Sequence, residues 1–224
     1  IQRNHQKMIE ESPSAAVSPE LREKMGHAAV TAAKAAGYVN AGTIEFLLEP
    51  DGKFWFMEMN TRIQVEHPVT EWVTGIDLVK EQLKIASGMP LEISQEDVRI
   101  QGHAIECRIN AENPQKNFRP SPGTIQGAHF PGGNGIRVDT CVYNGCKIPP
   151  YYDSMLAKLI VHAGNRKEAI AKMQSALGEV IIDGIDTNID YQYEILKDED
   201  YQSGNFDTGF LASHIIAGVK INEN

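Results

Sequence analysis

The chain has 224 residues, 42% of them hydrophobic and 23% charged, with a formal net charge of −9. That length allows one large domain or two small ones with a proper core, and the acidic balance argues against a general nucleic-acid binder. Cys107, Cys141 and Cys146 lack CxxC spacing, which fits reduced cytosolic thiols rather than a disulfide frame or zinc site; no apolar run nears a membrane span and no signal peptide is visible.

Residues 1–12 are IQRNHQKMIEES, and a strand is one reading of them. Alternation then puts Arg3, His5 and Lys7 on one face and Gln2, Gln6 and Met8 on the other. Such a row of cations fits an anion such as phosphate, and it equally fits a charged edge strand. Ser18-Pro19-Glu20 starts a helix, with a hydroxyl cap, a proline and an acid in the first turn. The helix is expected to reach Ala36 and stop at Gly37. Leu21, Met25 and the alanines 28, 29, 32, 33 and 36 form its expected buried stripe.

Thr43 to Asn60 holds two strand-like runs joined by Pro50-Asp51-Gly52, a hairpin signal. With Asp51-Gly52 as a two-residue turn, Pro50 faces Lys53 and Glu45 falls opposite Glu58. Ile44, Phe46, Leu48, Trp55, Met57 and Met59 then form a core face. Glu45, Leu47, Phe54, Phe56, Glu58 and Asn60 form the other. Opposed carboxylates repel unless a proton or cation separates them. Two Glu and an Asn carbonyl are hard donors suited to Mg²⁺ or Mn²⁺. A solvated sheet face fits the same spacing, so both readings stand at this point.

Next comes NTRIQVEH, Asn60–His67. If it is extended, Arg62, Gln64 and Glu66 share a face. Arg62 offers a donor fork for a carboxylate, bicarbonate or phosphate, and Glu66 beside a bound anion could act as a general base. A simple Arg62–Glu66 surface pair is the alternative. A short helical turn over Thr70–Gly75 follows. Asp77 caps a helix from Leu78 to Ile85, with Ile76, Val79, Leu83 and Ala86 as its stripe.

Beyond Met89-Pro90 the pattern is mostly β, then α. His103, Ile105, Cys107 and Ile109 alternate as a core face, with His103 as a structural histidine; Ala104, Glu106, Arg108 and Asn110 face the other way. Residues 113–135 are turn-rich and contain no phosphate loop. Strands at Ile136–Tyr143 and Ser154–His162 follow. A helix from Lys167 to Val180 is capped by Asn165, a further one starts at Asp186-Thr187-Asn188, and a short one spans Gly209–Ala217.

The string EMNTRIQVEHPVTE (Glu58–Glu71) closely resembles the signature of biotin carboxylases, members of the ATP-grasp superfamily. QRNHQK (Gln2–Lys7), GTIEFL (Gly42–Leu47), GHAIECRINAENP (Gly102–Pro114), PSPG (Pro120–Gly123), PPYYDSMLAKLI (Pro149–Ile160) and IIDGIDTN (Ile181–Asn188) match in the same order. The resemblance covers nearly the whole chain. It implies an α+β fold, with the C-terminal part of an ATP-grasp domain over residues 1–90 and the biotin carboxylase C-terminal domain over residues 91–224.

The resemblance also implies roles. Glu45, Glu58 and Asn60 match the ligands of two Mg²⁺ or Mn²⁺ ions; Glu45 and Glu58, with His5 and Leu47, match ATP contacts. Lys7 matches a position near the transferred phosphate and bicarbonate. Arg62, Gln64 and Val65 match bicarbonate contacts, Val65 through its backbone. Glu66 matches the base that deprotonates bicarbonate. Arg108 matches the arginine that meets bicarbonate and stabilises the biotin enolate. The family reaction makes carboxyphosphate from ATP and bicarbonate, then carboxylates biotin on a carrier protein.

The family also has an N-terminal domain and a glycine-rich lid that these 224 residues do not contain. The chain is therefore expected to be a fragment, inactive alone. The implied parent is the cytoplasmic biotin carboxylase subunit of an acetyl-CoA carboxylase in fatty-acid synthesis, because no Met-Lys-Met site is present and the tail after Gly218 reads as terminal. Propionyl-CoA, methylcrotonyl-CoA and pyruvate carboxylases are the alternatives. Expected partners are the biotin carboxyl carrier protein, carboxyltransferase subunits and a second copy, paired around HFPGGNGIR (His129–Arg137). Some members carry an aromatic where this chain has Asn134. A dimerisation and carrier-docking module is the non-enzymatic alternative.

Overall fold

Apolar runs ending at Gly, Pro or Asn set the limits of the elements. The computed structural model describes residues 1–220; of the tail after Gly218, residues 221–224 lie outside the described part. The longer elements are, in chain order, β1 (Ile9–Ser12), α1 (Pro19–Ala35), β2 (Thr43–Leu48), β3 (Phe54–Asn60), α2 (His67–Thr74), α3 (Leu78–Ala86), β4 (His103–Asn110), β5 (Ile136–Thr140), β6 (Met155–Ala163), α4 (Arg166–Glu179) and α5 (Ile189–Lys197). Helix and strand are mixed, 33% and 27%, as an α+β chain requires. The chain forms two compact units, Pro13–Ile100 and Ile1–Ser12 with Gln101–Asn224.

In the unit Pro13–Ile100, Ser18 caps α1 by accepting from Leu21 N at 3.2 Å. The alanine-rich face of α1 is only half-buried and Ala36 is exposed, so the expected buried stripe does not form a core. Asp77 caps α3 by accepting from Lys80 N at 2.8 Å. Val79 and Leu83 of α3 are exposed, and the inward side instead carries Leu78, Gln82 and Ile85. The Glu71 carboxylate accepts from Leu78 N at 2.8 Å and so joins α2 to α3.

The hairpin β2–β3 departs from the simple two-residue turn. Glu49 N donates to Lys53 O at 2.8 Å, so Glu49 faces Lys53 across a three-residue loop, Pro50–Gly52. Leu47 then pairs with Trp55 and Phe46 with Phe56. A register shift follows, with Met57 as the extra residue, and Glu45 pairs with Glu58. A bulge changes the register by one residue, so the odd loop and the bulge cancel and the Glu45–Glu58 pairing survives. Between them the faces change. Trp55 joins Leu47, and Phe54 packs edge-on against Phe46 with ring centroids 5.2 Å apart. Leu47, Trp55, Phe56 and Met57 are exposed; the expected core face is not a core.

The other unit is built on one antiparallel sheet, in the order β5–β6–β4–β1. Ile9, Cys107, Leu159 and Val138 lie in one cross-strand row. Their face packs against α4, through Ile170, Met173 and Leu177, and α5, through Ile195 and Leu196. Burial pushes the Cys107 thiol pKa up. Glu10, Glu106, Arg108, Lys158 and Asp139 sit on the opposite face.

Residues 1–8 do not run as one strand. Gln2–Arg3 and Gln6–Lys7 pair across a tight turn with Asn4 at φ 49° and His5 at φ 62°. Lys7 therefore faces Gln2 rather than sharing a side with Arg3. The Arg3 guanidinium lies 4.3 Å from the centre of the Phe118 ring, a packing role. Asn188 stands at the expected start of a helix, but its side chain does not cap α5. It is buried against β4, accepting from Asn110 N at 2.9 Å and donating to Arg108 O at 3.1 Å.

His103 is a core histidine as expected. Its Nε2 lies 2.7 Å from Glu11 Oε2, and Arg166 binds both oxygens of Glu11, at 2.7 and 3.1 Å. Burial raises the Glu11 carboxyl pKa, but these bonds outweigh it and hold the group below its ordinary 4.5. A depressed folded-state pKa gives stability that is full above the ordinary value and lost as pH falls through the folded one. Chemical unfolding between about pH 6 and pH 3 is expected to show that loss, and Glu11→Gln to flatten it. Leu159→Ala, at a fully buried position, is expected to cost about 2–5 kcal/mol in the same measurement.

Candidate functional site

Eight of the expected residues lie in the unit Pro13–Ile100 and three in the other. Glu45 and Glu58 are directly opposed on β2 and β3, so their carboxylates need something between them. Asn60 provides it. Its Nδ2 donates to Glu45 Oε1 at 3.1 Å and to Glu58 Oε1 at 2.8 Å. Gln64 Nε2 donates to the same Glu45 oxygen at 3.0 Å. Arg62 Nη1 donates to Gln64 Oε1 at 2.7 Å, and Nη2 reaches Asn60 Oδ1 at 3.5 Å. Glu58, Asn60, Glu45, Gln64 and Arg62 thus form one connected network.

Gln64 is buried while Arg62 and Glu58 are exposed. The network therefore has an inner anchor and an outer charged rim. Gly42 lies against it: a Cβ there would come within 3.2 Å of Asn60 O and 2.8 Å of the Tyr38 ring. Leu47 lies on the same hairpin face, half exposed. The segment after Gln64 is not extended. His67 N and Nδ1 both meet Gln64 O, at 3.3 and 2.8 Å, so Val65 and Glu66 lie in a turn that enters α2. The simple alternation of Arg62, Gln64 and Glu66 ends there, because the turn re-aims Glu66. An oxygen-only donor set of two opposed carboxylates and an Asn carbonyl suits Mg²⁺ or Mn²⁺.

In the other unit, His5 is exposed at its turn, Lys7 is half-buried, and Arg108 lies on β4. Arg108 pairs with Glu10 on β1. Lys158 on β6 is directly opposite Arg108 and lies 3.3 Å from Asp139. Nothing in the local sequence marks Glu10 or Lys158, because only the cross-strand register brings them to Arg108. Asp198, Asp200 and His214 also gather. Their bonds account for one another: Asp198 caps the helix Glu199–Ser203, and Asp200 binds His214 Nε2 at 3.0 Å, raising the His214 pKa.

Residues 106–213 match the biotin carboxylase C-terminal domain family, and residues 1–94 match the carbamoyl-phosphate synthase L chain ATP-binding domain family. Biotin carboxylase 1 of Bacillus subtilis is 58% identical over 219 residues, which is 97% of this chain and 49% of that protein. The chain belongs to the biotin carboxylase family.

A pyruvate carboxylase subunit of Methanothermobacter thermautotrophicus, a relative by the same comparison, is 57% identical over 94% of this chain and 43% of its own length. Among solved structures, the biotin carboxylase domain dimer of Hydrogenobacter thermophilus 2-oxoglutarate carboxylase, in complex with MgADP, ADP and bicarbonate, matches with a TM-score of 0.92 and 52% identity. That match covers 94% of this chain and 47% of that one. The chain thus spans about half the length of the curated relatives it matches. Among the described residues, no helix is long and apolar enough to cross a membrane.

Gln64→Leu keeps the shape of the network's anchor and removes both of its side-chain bonds. It is expected to cost the unit Pro13–Ile100 about 1–3 kcal/mol, read by urea unfolding. Glu58→Gln at the exposed rim is expected to cost less than about 0.5 kcal/mol.

Proposed function

We propose that this chain is part of an enzyme that carboxylates biotin on a carrier protein, using ATP and bicarbonate. Residues 1–90 are taken as the C-terminal part of its ATP-grasp domain and residues 91–224 as its biotin carboxylase C-terminal domain. The observation that carries the reading is the connected network Glu58–Asn60–Glu45–Gln64–Arg62. It combines an acidic pair suited to a divalent ion with an arginine held ready for a small anion. The neighbour from Hydrogenobacter, in complex with MgADP and bicarbonate, supports the same assignment.

In this proposal Glu45, Glu58 and Asn60 hold Mg²⁺ or Mn²⁺, whose charge, when bound, neutralises nucleotide phosphates. Asn60 would hold such an ion through Oδ1, not through the amide nitrogen that here donates to both carboxylates. His5 and Leu47 contact the nucleotide, and Lys7 the transferred phosphate. Arg62, with Gln64 holding its guanidinium at 2.7 Å, grips bicarbonate by a donor fork. The Val65 backbone joins that contact. Glu66 removes the bicarbonate proton as general base. Arg108 stabilises the negative charge that develops on biotin.

Acetyl-CoA is the proposed final acceptor, which places the protein in fatty-acid synthesis, in the cytoplasm, with a biotin carboxyl carrier protein and carboxyltransferase subunits as partners. Pyruvate is the second reading, favoured by the 57% match to a protein of pyruvate carboxylase. A homodimer through the C-terminal domain around His129–Arg137 is proposed by likeness to the solved domain dimer.

The test is bicarbonate-dependent ATP cleavage, stimulated by biotin, in the full-length protein that carries this chain. Glu66→Gln is expected to lower it by roughly 10²–10⁴-fold; full activity in that variant removes the base assignment. The 224-residue chain by itself is expected to show no ATP-dependent carboxylation of free biotin.

A further inference from the structure

We infer that Glu10 is a positioning residue for Arg108. The inference rests on the proposed role of Arg108 in meeting the developing charge on biotin. Glu10 lies on β1 and Arg108 on the neighbouring strand β4, and Glu10 Oε1 binds Arg108 Nη2. Both side chains are largely shielded, 9% and 17% exposed, so the pair is little screened by solvent.

The register explains why Arg108 needs an anion there. Lys158 on β6 is its direct cross-strand partner. Opposed residues lie about 4.5–5.5 Å apart at Cβ, and like charges in that relation repel. Asp139 stands 3.3 Å from Lys158 on the far side. Glu10 stands on the near side of Arg108. Each cation of the opposed pair therefore has an anion beside it, with Glu106 on the same face opposite Glu10, and the contact with Glu10 draws the guanidinium toward β1.

The main chain of Arg108 is fixed as well. Its N donates to Met8 O at 3.0 Å, and its carbonyl accepts from Asn188 Nδ2 at 3.1 Å and Gln192 Nε2 at 2.8 Å. With the backbone pinned on both sides, the direction of the side chain is the remaining freedom. Glu10 removes it.

The experiment compares variants of the full-length protein for kcat and KM in biotin carboxylation, with melting temperature as a folding control. Glu10→Gln is expected to lower kcat roughly ten- to a hundredfold through misplacement of the guanidinium, with the KM for ATP unchanged. Adding Lys158→Met to Glu10→Gln removes the repelling cation and is expected to recover kcat in part, above the single variant and below the parent. Glu11→Gln, on the opposite face of β1, is expected to lower the melting temperature and leave kcat in place. If Glu10→Gln does not fold, the double variant is read alone, and parental kcat in it overturns the inference. Parental kcat in Glu10→Gln, beside a loss in Arg108→Ala, overturns the positioning role while leaving the reading of Arg108 intact. Full activity in Arg108→Ala overturns both.

Discussion

Antiparallel ladders among the described residues set like charges face to face, Glu10 opposite Glu106 included. Glu45 opposes Glu58 on the hairpin, and Arg108 opposes Lys158 on the four-stranded sheet. An arrangement of this kind is unfavourable unless groups of the other polarity stand beside it. In the hairpin the Asn60 amide bridges both carboxylates. In the sheet Glu10 and Asp139 flank the two cations. Each ladder thus keeps its charges concentrated and oriented, the condition for meeting a charged ligand without much reorganisation.

The surroundings differ in a way that suits the two proposed tasks. The sheet is backed by α4 and α5, and its central strands β4 and β6 are buried on both faces apart from their ends. Charges there are held in a firm, poorly solvated setting. The hairpin has two strands, and Leu47, Trp55, Phe56 and Met57 are exposed on it. Its acidic pair keeps contact with solvent, as the proposed entry of a hydrated divalent ion requires. Gln64 gives that open site one buried anchor, so Arg62 is steered although its own surface is exposed.

Much of the element pattern is legible in the chain. Ser18, Asp77 and Asn165 cap the helices that the sequence assigns to them, because a short polar side chain before an apolar run has few other uses. The acidic pairing of the hairpin comes out as alternation expects, but only because the three-residue loop and the bulge at Met57 cancel, which the spacing does not reveal. Helix stripes in the unit Pro13–Ile100 are not legible, because apolar periodicity says which face could be buried and not whether anything covers it. Asn188 has the pattern of a helix start, yet its side chain is taken by β4.

What the sequence determined by itself is the family and the types of the chemical groups, since the NTRIQVEH run and its carboxylates are local and contiguous. What only the tertiary structure decided is partnership. A bulge at Met57 and a three-residue loop chose the neighbours of Trp55 while leaving Glu45 with Glu58. The turn at Asn4-His5 separated Lys7 from Arg3. Strand register alone brought Glu10 to Arg108 across 98 residues of sequence and set Lys158 opposite. Those pairings depend on hydrogen-bond ladders between distant segments, and no local spacing encodes them.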